Sequence, residues 1–241
     1  MKMSGNFWKG WGVTQRGPTH LKNQTPNQDS YKVKSFYWGI VGVVCDGLGS
    51  KQYSHVGSKA LVKAIVEASD KFDFEINNME HFEPLVKSLW EKNIYPYSLN
   101  DCSTTLLFTI IKHNKIYTGR VGDGRICLLG ENNIIIEENK DSFTNYTTPF
   151  GKDEDIQWQI FDIQNVDSIV LYSDGISEDI KKEKNFLFCE QYVLKYKYRT
   201  KKKREKEIKM WLKNWPVKGH TDDKTIVALV KMDKYEKNRS I

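Results

Sequence analysis

Aspartates stand where predicted strands begin or end, at four separate places in the chain. Asp46, Asp123 and Asp174 each follow an apolar segment and adjoin a glycine, and the pair Asp222-Asp223 directly precedes the last apolar segment. A carboxylate beside glycine at a strand end is exposed at the rim of a sheet, where a ligand can approach the backbone. These positions therefore suit the binding of a charged ligand.

Carboxylates and backbone carbonyls are the ligands that hard cations prefer. Mg²⁺ and Mn²⁺ take oxygen ligands and need neither histidine nor cysteine. Several carboxylates that converge without a cation would repel one another and raise their own pKa values. The aspartates therefore indicate a site for two divalent cations. The alternative for each of them is an ordinary turn, since Asp-Gly pairs are common turn signals.

Apolar and β-branched segments predict the strands that would position these aspartates. The predicted strands are Phe7–Val13, Tyr37–Cys45, Ser103–Ile111, Lys115–Arg120, Arg125–Leu129, Ile134–Glu138, Gln157–Ile163, Ser168–Tyr172 and Thr225–Met232. Helices are predicted over His55–Ser69 and Phe82–Asn93, and a basic helix is predicted to end near Leu212. Residues Arg16–Asp29 are predicted to be turn-rich. Runs of strands with helices inserted in pairs favour a layered α+β domain over a doubly wound sheet.

The composition is that of a folded protein with one sizeable core. The chain has 241 residues, of which 39% are hydrophobic and 12% aromatic, so disorder and collagen-like structure are excluded. We expect a single domain over residues 1–241. No segment reaches the roughly 18 to 20 apolar residues of a membrane span, and the first residues lack a signal-peptide core, so we expect a cytoplasmic protein without a membrane partner. The four cysteines are far apart, which favours buried reduced thiols.

Positive charge is concentrated in one segment. The net charge is +6, and residues 195–209 contain nine Lys or Arg and two Glu, so the remainder of the chain is nearly neutral. One interpretation is a solvated helical face. The other is a docking surface for acidic or phosphorylated partners, formed by Lys201, Lys202, Lys203 and Arg204. Nucleic acid is less favoured as a partner, because basic and aromatic residues do not interleave on a strand.

Six short motifs occur in one order along nearly the whole chain. They are Asn27-Gln28-Asp29, Val44-Cys45-Asp46-Gly47-Leu48-Gly49, Cys102-Ser103-Thr104-Thr105, Val121-Gly122-Asp123-Gly124-Arg125, Tyr172-Ser173-Asp174-Gly175 and Thr221-Asp222-Asp223-Lys224-Thr225. Together they resemble the PP2C family, the metal-dependent Ser/Thr protein phosphatases, in its compact bacterial form. The resemblance implies a four-layer α/β/β/α sandwich with two central antiparallel β-sheets.

The resemblance also implies a centre of two Mn²⁺ or Mg²⁺ ions that share a bridging water. By the matching motif positions, Asp46 would bridge both ions, and the carbonyl of Gly47 would bind the second. Asp174 and Asp222 would bind the first ion, and Asp123 matches the position that binds a third, weaker ion. Such ions lower the pKa of water from about 15.7 toward 7, so that hydroxide attacks phosphorus in line without a phosphoenzyme.

Three positions depart from the usual family pattern. Gln28 precedes Asp29 where the family usually has a glutamate that reaches the second ion through water. His20 stands where the common bacterial form has an arginine that binds phosphate, and a divergent bacterial branch is similar here. Leu48 occupies the position of a histidine in eukaryotic members. We therefore take His20 as the phosphate-binding candidate, and His20 and Asp29 as the catalytic candidates.

Hydrolysis of phosphoserine and phosphothreonine in proteins is the activity that the resemblance implies. The partners would be a phosphorylated protein and a cognate Ser/Thr kinase. The alternative is a pseudo-phosphatase, in which Gln28 and His20 reduce the chemistry and the fold serves as a binding or regulatory module. Asp46, Asp174 and Asp222 are intact, which favours the enzyme, because a binding module has no need of them.

Overall fold

The computed structural model describes residues 7–138, 148–151, 155–217 and 219–233, and within them ten strands form two antiparallel sheets. The spatial order in the first sheet is β1 (Phe7–Gln15), β10 (Lys224–Met232), β9 (Val166–Tyr172), β6 (Arg125–Gly130) and β7 (Ile134–Glu137). The order in the second sheet is β2 (Asp29–Phe36), β3 (Gly39–Asp46), β4 (Leu106–Lys112), β5 (Lys115–Val121) and β8 (Gln157–Asp162).

Helices cover the outer faces of both sheets and cap the strands at one edge. They are α1 (Pro18–Lys22), α2 (Ser54–Lys71), α3 (Phe82–Ile94), α4 (Asp174–Ser177), α5 (Asn185–Tyr196) and α6 (Lys201–Lys213). Short 3₁₀ turns lie at Met79–His81, Ile163–Asn165 and Lys182–Lys184. The short helices α1 and α4 belong to the loops at the edge, and the four longer helices form the outer layers.

Three apolar clusters show that the layers follow the order helix, sheet, sheet, helix. Residues of both sheets pack face to face in the central cluster, including Ile40, Val44, Leu107, Ile126, Leu171, Val227 and Leu229. Helices α2 and α3 cover the second sheet, and α5 and α6 cover the first. Alternation along β3 sends Val41 and Val43 toward the helices and Val44 toward the other sheet. The predicted four-layer sandwich is confirmed.

The predicted strands are present, with differences at their ends. Strand β3 begins at Gly39 instead of Tyr37, because Tyr37 occupies a turn and is 99% exposed. Strand β2 has no counterpart in the prediction, since it is an edge strand in which exposed Lys32 and Lys34 alternate with Val33. The basic segment, residues 195–209, includes the last two residues of α5, a break at residues 197–200 and most of α6.

One edge of the sandwich collects the strand ends that carry the acidic motifs. Strand β2 begins at Asp29, which lies opposite Asp46 at the end of β3. Asp123 and Asp174 come two residues after the ends of β5 and β9, and Asp222 comes two residues before β10. Antiparallel strands alternate in direction, so every second strand of each sheet ends at the same edge. Aspartates that are far apart in the sequence are thus brought together in one cluster.

Two further expectations concern cysteines and membrane spans. The four cysteines, Cys45, Cys102, Cys127 and Cys189, are free and buried, as predicted. Among the helices of the described residues, none combines the length and the apolar character that a membrane crossing requires.

Candidate metal centre and active site

A cleft of about 440 Å³ opens at this edge, and acidic side chains line it. Asp46, Asp123, Asp174 and Asp222 all contribute to its wall, together with Gly47. The structure therefore brings together the five residues that sequence analysis named as metal ligands. Asp46 belongs to the second sheet, whereas Asp174 and Asp222 adjoin strands of the first, so the cleft lies across the junction of the two sheets.

Hydrogen bonds from the loop before β4 hold Asp46 in place. Its carbonyl oxygen accepts from the N–H of Thr105 at 2.7 Å and from the Thr104 hydroxyl at 2.8 Å. Its N–H donates to Thr105 Oγ1 at 3.1 Å. At Gly47, a Cβ atom would lie 2.7 Å from the carbonyl oxygen of Ser54, so a larger residue does not fit. These contacts immobilise the backbone that presents Asp46 to the cleft.

Asp174 is the first residue of α4, at the junction with β9. Its Oδ1 atom is buried and has no hydrogen-bond partner within the described structure. Burial raises the pKa of Asp174 to about 6, and the charges of Asp123 and Asp222 contribute to the rise. At the next position, Gly175, a Cβ atom would collide with the backbone carbonyl of Asp223. Glycine thus allows the two ligand-bearing segments to approach each other.

Burial and, after it, mutual repulsion raise the pKa values of the carboxyl groups in the cleft. Burial raises the pKa of Asp46 well above its ordinary range, and the charges of Asp29 and Asp174 raise it further. Convergent oxygen atoms with an unpartnered, buried carboxylate oxygen are the donor set that Mg²⁺ or Mn²⁺ requires. The residues present therefore fit two hard divalent cations, whose charge would offset the repulsion.

Asp29 lies behind the cleft and does not line it. Its side chain is 2% exposed, and its Oδ2 atom accepts a hydrogen bond from Ser173 Oγ at 2.8 Å. Ser173 in turn accepts from the N–H of Thr225 at 3.1 Å. Burial raises the pKa of Asp29 to about 8. This carboxyl group connects β2 to the β9–α4 junction beside Asp174, and its Oδ1 atom is buried without a hydrogen-bond partner within the described structure. A catalytic role for Asp29 stays a prediction.

Gln28 lines the cleft but is largely buried. Its carbonyl oxygen accepts from Ser58 Oγ at 2.5 Å and from the N–H of Gly47 at 3.1 Å. Gln28 is therefore tied to the segment that carries Asp46 and Gly47. Its Oε1 atom lies 3.8 Å from where a Cβ atom at Gly49 would stand, and both residues line the cleft.

Asp223 joins three loops, and sequence analysis gave it no role. It is 1% exposed, and its Oδ1 atom accepts from the N–H of Gly17 at 2.6 Å. Its Oδ2 atom accepts from the N–H of Gln28 at 2.6 Å and lies 2.9 Å from His20 Nδ1. The doubled aspartate before the last strand was the only sequence signal for this position. Asp223 is thus the anchor of the phosphate-binding candidate.

His20 stands in α1 and lines the cleft beside Asp222. One side-chain ligand atom from each of His20, Asp222 and Asp223 lies within 4.8 Å of the others. A hydrogen bond of 2.6 Å between the hydroxyls of Thr19 and Thr221 joins α1 to the loop before β10. Nδ1 of His20 lies within ion-pair distance of Asp223 Oδ2 but makes no hydrogen bond within the described structure, so the contact between the two side chains is one of charge and proximity.

His220 also lines the cleft, and sequence reasoning missed it. Its Nδ1 atom lies 2.7 Å from Asp179 Oδ2, which also accepts from Trp215 Nε1 at 2.6 Å. Asp179 follows α4, whereas Trp215 and His220 lie between α6 and β10, so no local motif connects the three residues. Their contacts hold His220 at the rim of the cleft.

The basic segment lies outside the cleft, and its members differ in exposure. Lys201, Lys202 and Lys203 are exposed at the start of α6. Arg204 is only 4% exposed, because its guanidinium lies 4.6 Å from the ring centre of Trp11 and donates to the carbonyl of Arg199. The prediction that Arg204 belongs to a docking surface is therefore wrong, and this residue is part of the helix–sheet interface.

Comparison with known proteins supports the family indicated by the motifs. The family model described as Protein phosphatase 2C matches residues 16–215, which is well over half of the chain. The chain belongs to the protein phosphatase 2C family. The match extends from the segment before α1 to the segment after α6, and thus includes Asp46, Asp123 and Asp174.

The relative found by sequence comparison is distant. A candidate protein phosphatase of Mycoplasma genitalium is 24% identical over 159 residues, which cover 59% of this chain and 58% of that protein. The chain thus spans little more than half the length of that relative.

Solved structures match over nearly the whole chain. The catalytic domain of the serine threonine protein phosphatase PstP, in complex with two manganese ions, has a TM-score of 0.63 and 17% identity over 95% of this chain and 100% of that chain. Serine/threonine phosphatase Stp1 from Staphylococcus aureus has a TM-score of 0.63 and 15% identity over 95% of this chain and 97% of that chain. The two TM-scores show a common fold.

Proposed function

We propose that the protein is a metal-dependent phosphatase that hydrolyses phosphoserine and phosphothreonine in proteins. The observation that carries the proposal is the convergence of Asp46, Asp174 and Asp222 in one cleft, with a buried carboxylate oxygen of Asp174 that lacks a partner. Membership of the protein phosphatase 2C family and the manganese complex of PstP support the same activity.

Asp46, Asp174, Asp222 and the carbonyl of Gly47 would hold the two cations, and Asp123 would hold a third, weaker one. When bound, divalent cations lower the pKa of water and neutralise charge on a phosphoryl group. The five residues would contribute oxygen ligands, and the hydrogen bonds to Thr104 and Thr105 fix the backbone of Asp46. Gln28 is neutral, so it would contribute through hydrogen bonds with water and not through charge.

His20 would bind the phosphoryl group of the substrate. Asp223 Oδ2 lies 2.9 Å from its Nδ1 atom, and an imidazolium ring with a proton on each nitrogen would donate from Nε2 to a phosphoryl oxygen. Such a donor stabilises negative charge that develops on the phosphoryl oxygens during transfer. Asp29, the other catalytic candidate, would act beside Asp174 at the β9–α4 junction.

The substrate would be a phosphoprotein made by a Ser/Thr kinase in the same compartment, which we expect to be the cytoplasm. The family and its regulatory members support a phosphoprotein substrate. The second candidate function is that of a pseudo-phosphatase. The observation that favours it is the neutral Gln28, at a position where the family usually has a glutamate. The complete oxygen-donor set favours catalysis, because a binding module gains nothing from carboxylates whose repulsion destabilises the fold.

Hydrolysis of a phosphothreonine peptide, measured with Mn²⁺, with Mg²⁺ and with EDTA, tests the proposal. We expect turnover with at least one cation and none in EDTA. Absence of turnover with both cations in a folded protein that binds Mn²⁺ would support the pseudo-phosphatase. Turnover that persists in EDTA would contradict the metal-dependent mechanism.

A further inference from the structure

The exposed face of α6 carries a row of lysines. Lys202, Lys206, Lys209 and Lys213 are exposed, and they follow the spacing i, i+4, i+7 and i+11. At about 100° per residue they fall within a band of about 60° on the helix surface. None of the four has an ion-pair partner among residues 7–138, 148–151, 155–217 and 219–233. We call these four residues the lysine stripe.

The lysine stripe runs toward the candidate active site. Near the start of α6, Arg204 lies against Trp11 in the middle of β1. Near the end of α6, Lys213 lines a small cavity of about 190 Å³ together with Gln15 and Arg16, where β1 ends. Helix α6 therefore follows β1 toward the edge of the sandwich that carries the acidic cleft.

The small cavity adjoins the cleft and contains further positive charge. Residues 219–222 line both, so a single loop separates the two spaces. Arg16, Lys213 and Lys224 line the small cavity, and Asp222 is its acidic member. The ammonium group of Lys224 donates to the carbonyl of Asp222 at 3.1 Å. Lys213 and Arg16 thus carry the positive charge of the lysine stripe to the small cavity, whereas Lys224 is buried beside Asp222.

We propose that the lysine stripe and the small cavity form a docking track for an acidic segment of the protein substrate, beside its phosphorylated residue. The inference rests on the proposed phosphatase function and specifies its substrate class. The stripe is about 16 Å long, given 1.5 Å per helical residue. An extended segment of about five residues covers this distance. Exposed lysines without ion-pair partners attract such a segment and lose little hydration on binding.

A protein segment fits the track better than a single-stranded nucleic acid. The stripe is a single row of lysines, and the aromatic residue of α6, Trp211, lies on the side of the helix that packs against α5. Base stacking on exposed aromatic rings is what strengthens binding to single strands. An acidic protein segment can bind to a row of positive charge without any aromatic ring to stack on.

Binding of a labelled peptide tests the track without dependence on catalysis. The probe is an unphosphorylated peptide with five consecutive glutamates, and its control has glutamines in their place. The test variant is Lys206→Gln/Lys209→Gln/Lys213→Gln, and the matched variant is Lys59→Gln/Lys63→Gln/Lys92→Gln. The matched lysines are exposed on α2 and α3, in the opposite outer layer, so both variants lose the same charge.

Fluorescence anisotropy at low salt should show that the wild type prefers the glutamate peptide. The test variant should bind it about fivefold to tenfold more weakly, as expected for the loss of three exposed charge pairs, and the matched variant should bind it like the wild type. Equal binding by the test variant and the wild type would overturn the proposal. So would equal weakening in both variants, or a stronger, stripe-dependent preference for a single-stranded RNA of equal charge.

Kinetics then connects the track to the cleft. For a phosphothreonine peptide with adjoining glutamates, the test variant should have a raised KM and an unchanged kcat with Mn²⁺. Hydrolysis of p-nitrophenyl phosphate should stay unchanged, because this substrate does not reach the track. An equal loss of activity on both substrates would show that the lysines support the fold or the metal centre, and it would contradict the docking role. Inactivity of the wild type on every substrate would reject the proposed function, and peptide binding alone would then decide on the track.

Discussion

At the scale of single residues, the cleft is lined by carboxyl groups whose negative charges repel one another. Asp46 and Asp174 are crowded together, and both have raised pKa values because of burial. An isolated fold would be more stable with neutral residues at these positions. Their presence is explained by a bound charge of the opposite sign.

We predict that Asp174→Asn lowers metal-dependent hydrolysis of p-nitrophenyl phosphate by about 100-fold or more, since a charged ligand is lost. The thermal midpoint in EDTA at neutral pH should be equal to or higher than that of the wild type, because a buried, unpartnered charge is removed. Calorimetric titration should show weaker Mn²⁺ binding. Near-normal activity of the folded variant at ordinary Mn²⁺ concentration would exclude Asp174 from the centre.

His20→Ala should have a different kinetic signature. His20 is expected to contact the phosphoryl group and not the cations, so kcat/KM for a phosphopeptide should fall about 10-fold to 100-fold. Mn²⁺ titration should remain close to that of the wild type. Circular dichroism and thermal unfolding control for loss of the contact with Asp223. An unchanged kcat/KM would show that His20 has only a structural role in α1.

At the scale of secondary-structure elements, α6 has two unlike faces. Arg204, Ile208 and Leu212 face the first sheet and are buried, whereas the lysine stripe faces solvent. The buried side of α6 therefore packs against the first sheet, and its exposed side remains accessible to a partner. The same charged segment thus contains residues for stability and residues for recognition.

Arg204 and Lys203 are adjacent in sequence, and their substitution should change stability to very different extents. Arg204→Ala removes a buried stem, the contact with Trp11 and a hydrogen bond to Arg199, so we predict a loss of about 1–3 kcal/mol of unfolding free energy. Lys203→Ala should change it by less than about 0.5 kcal/mol, because the side chain is exposed. Urea unfolding measures both. Equal effects of the two substitutions would contradict the burial of Arg204.

At the scale of the whole molecule, the metal centre links stability to pH. Asp29 and Asp174 have pKa values of about 8 and about 6 in the folded protein, above the ordinary 3.8. The folded state without metal therefore binds more protons than the unfolded chain between about pH 4 and pH 8. Stability from these groups is present below this window and is lost as the pH rises through it.

We expect the thermal midpoint in EDTA to fall as the pH rises from about 5 to about 8. Mn²⁺ should raise the midpoint more at the higher pH, since the cation competes with protons for the same oxygen atoms. Scanning calorimetry at both pH values, with and without Mn²⁺, measures the effect. The variant Asp174→Asn should show a smaller pH dependence. A midpoint in EDTA that rises over this range would show that the carboxyl groups do not titrate as described.

The sequence by itself determined the features that depend on near neighbours. Continuous apolar and β-branched runs placed strands such as β3 and β10, and aspartates beside glycine marked strand ends at Asp46, Asp123 and Asp174. The order of these motifs was sufficient for the family and for the four-layer fold. Edge strand β2 escaped prediction, because an exposed strand with alternating lysines buries little apolar surface.

Only the tertiary structure decided which residues meet across long distances in the chain. Asp223 accepts hydrogen bonds from Gly17 and Gln28, which are 206 and 195 residues away. Arg204 is buried because α6 packs along β1 and places Trp11 beneath it, and the lysine stripe points outward for the same reason. Composition can show that a segment is basic, but the direction of each side chain is set by how its helix packs against the sheet.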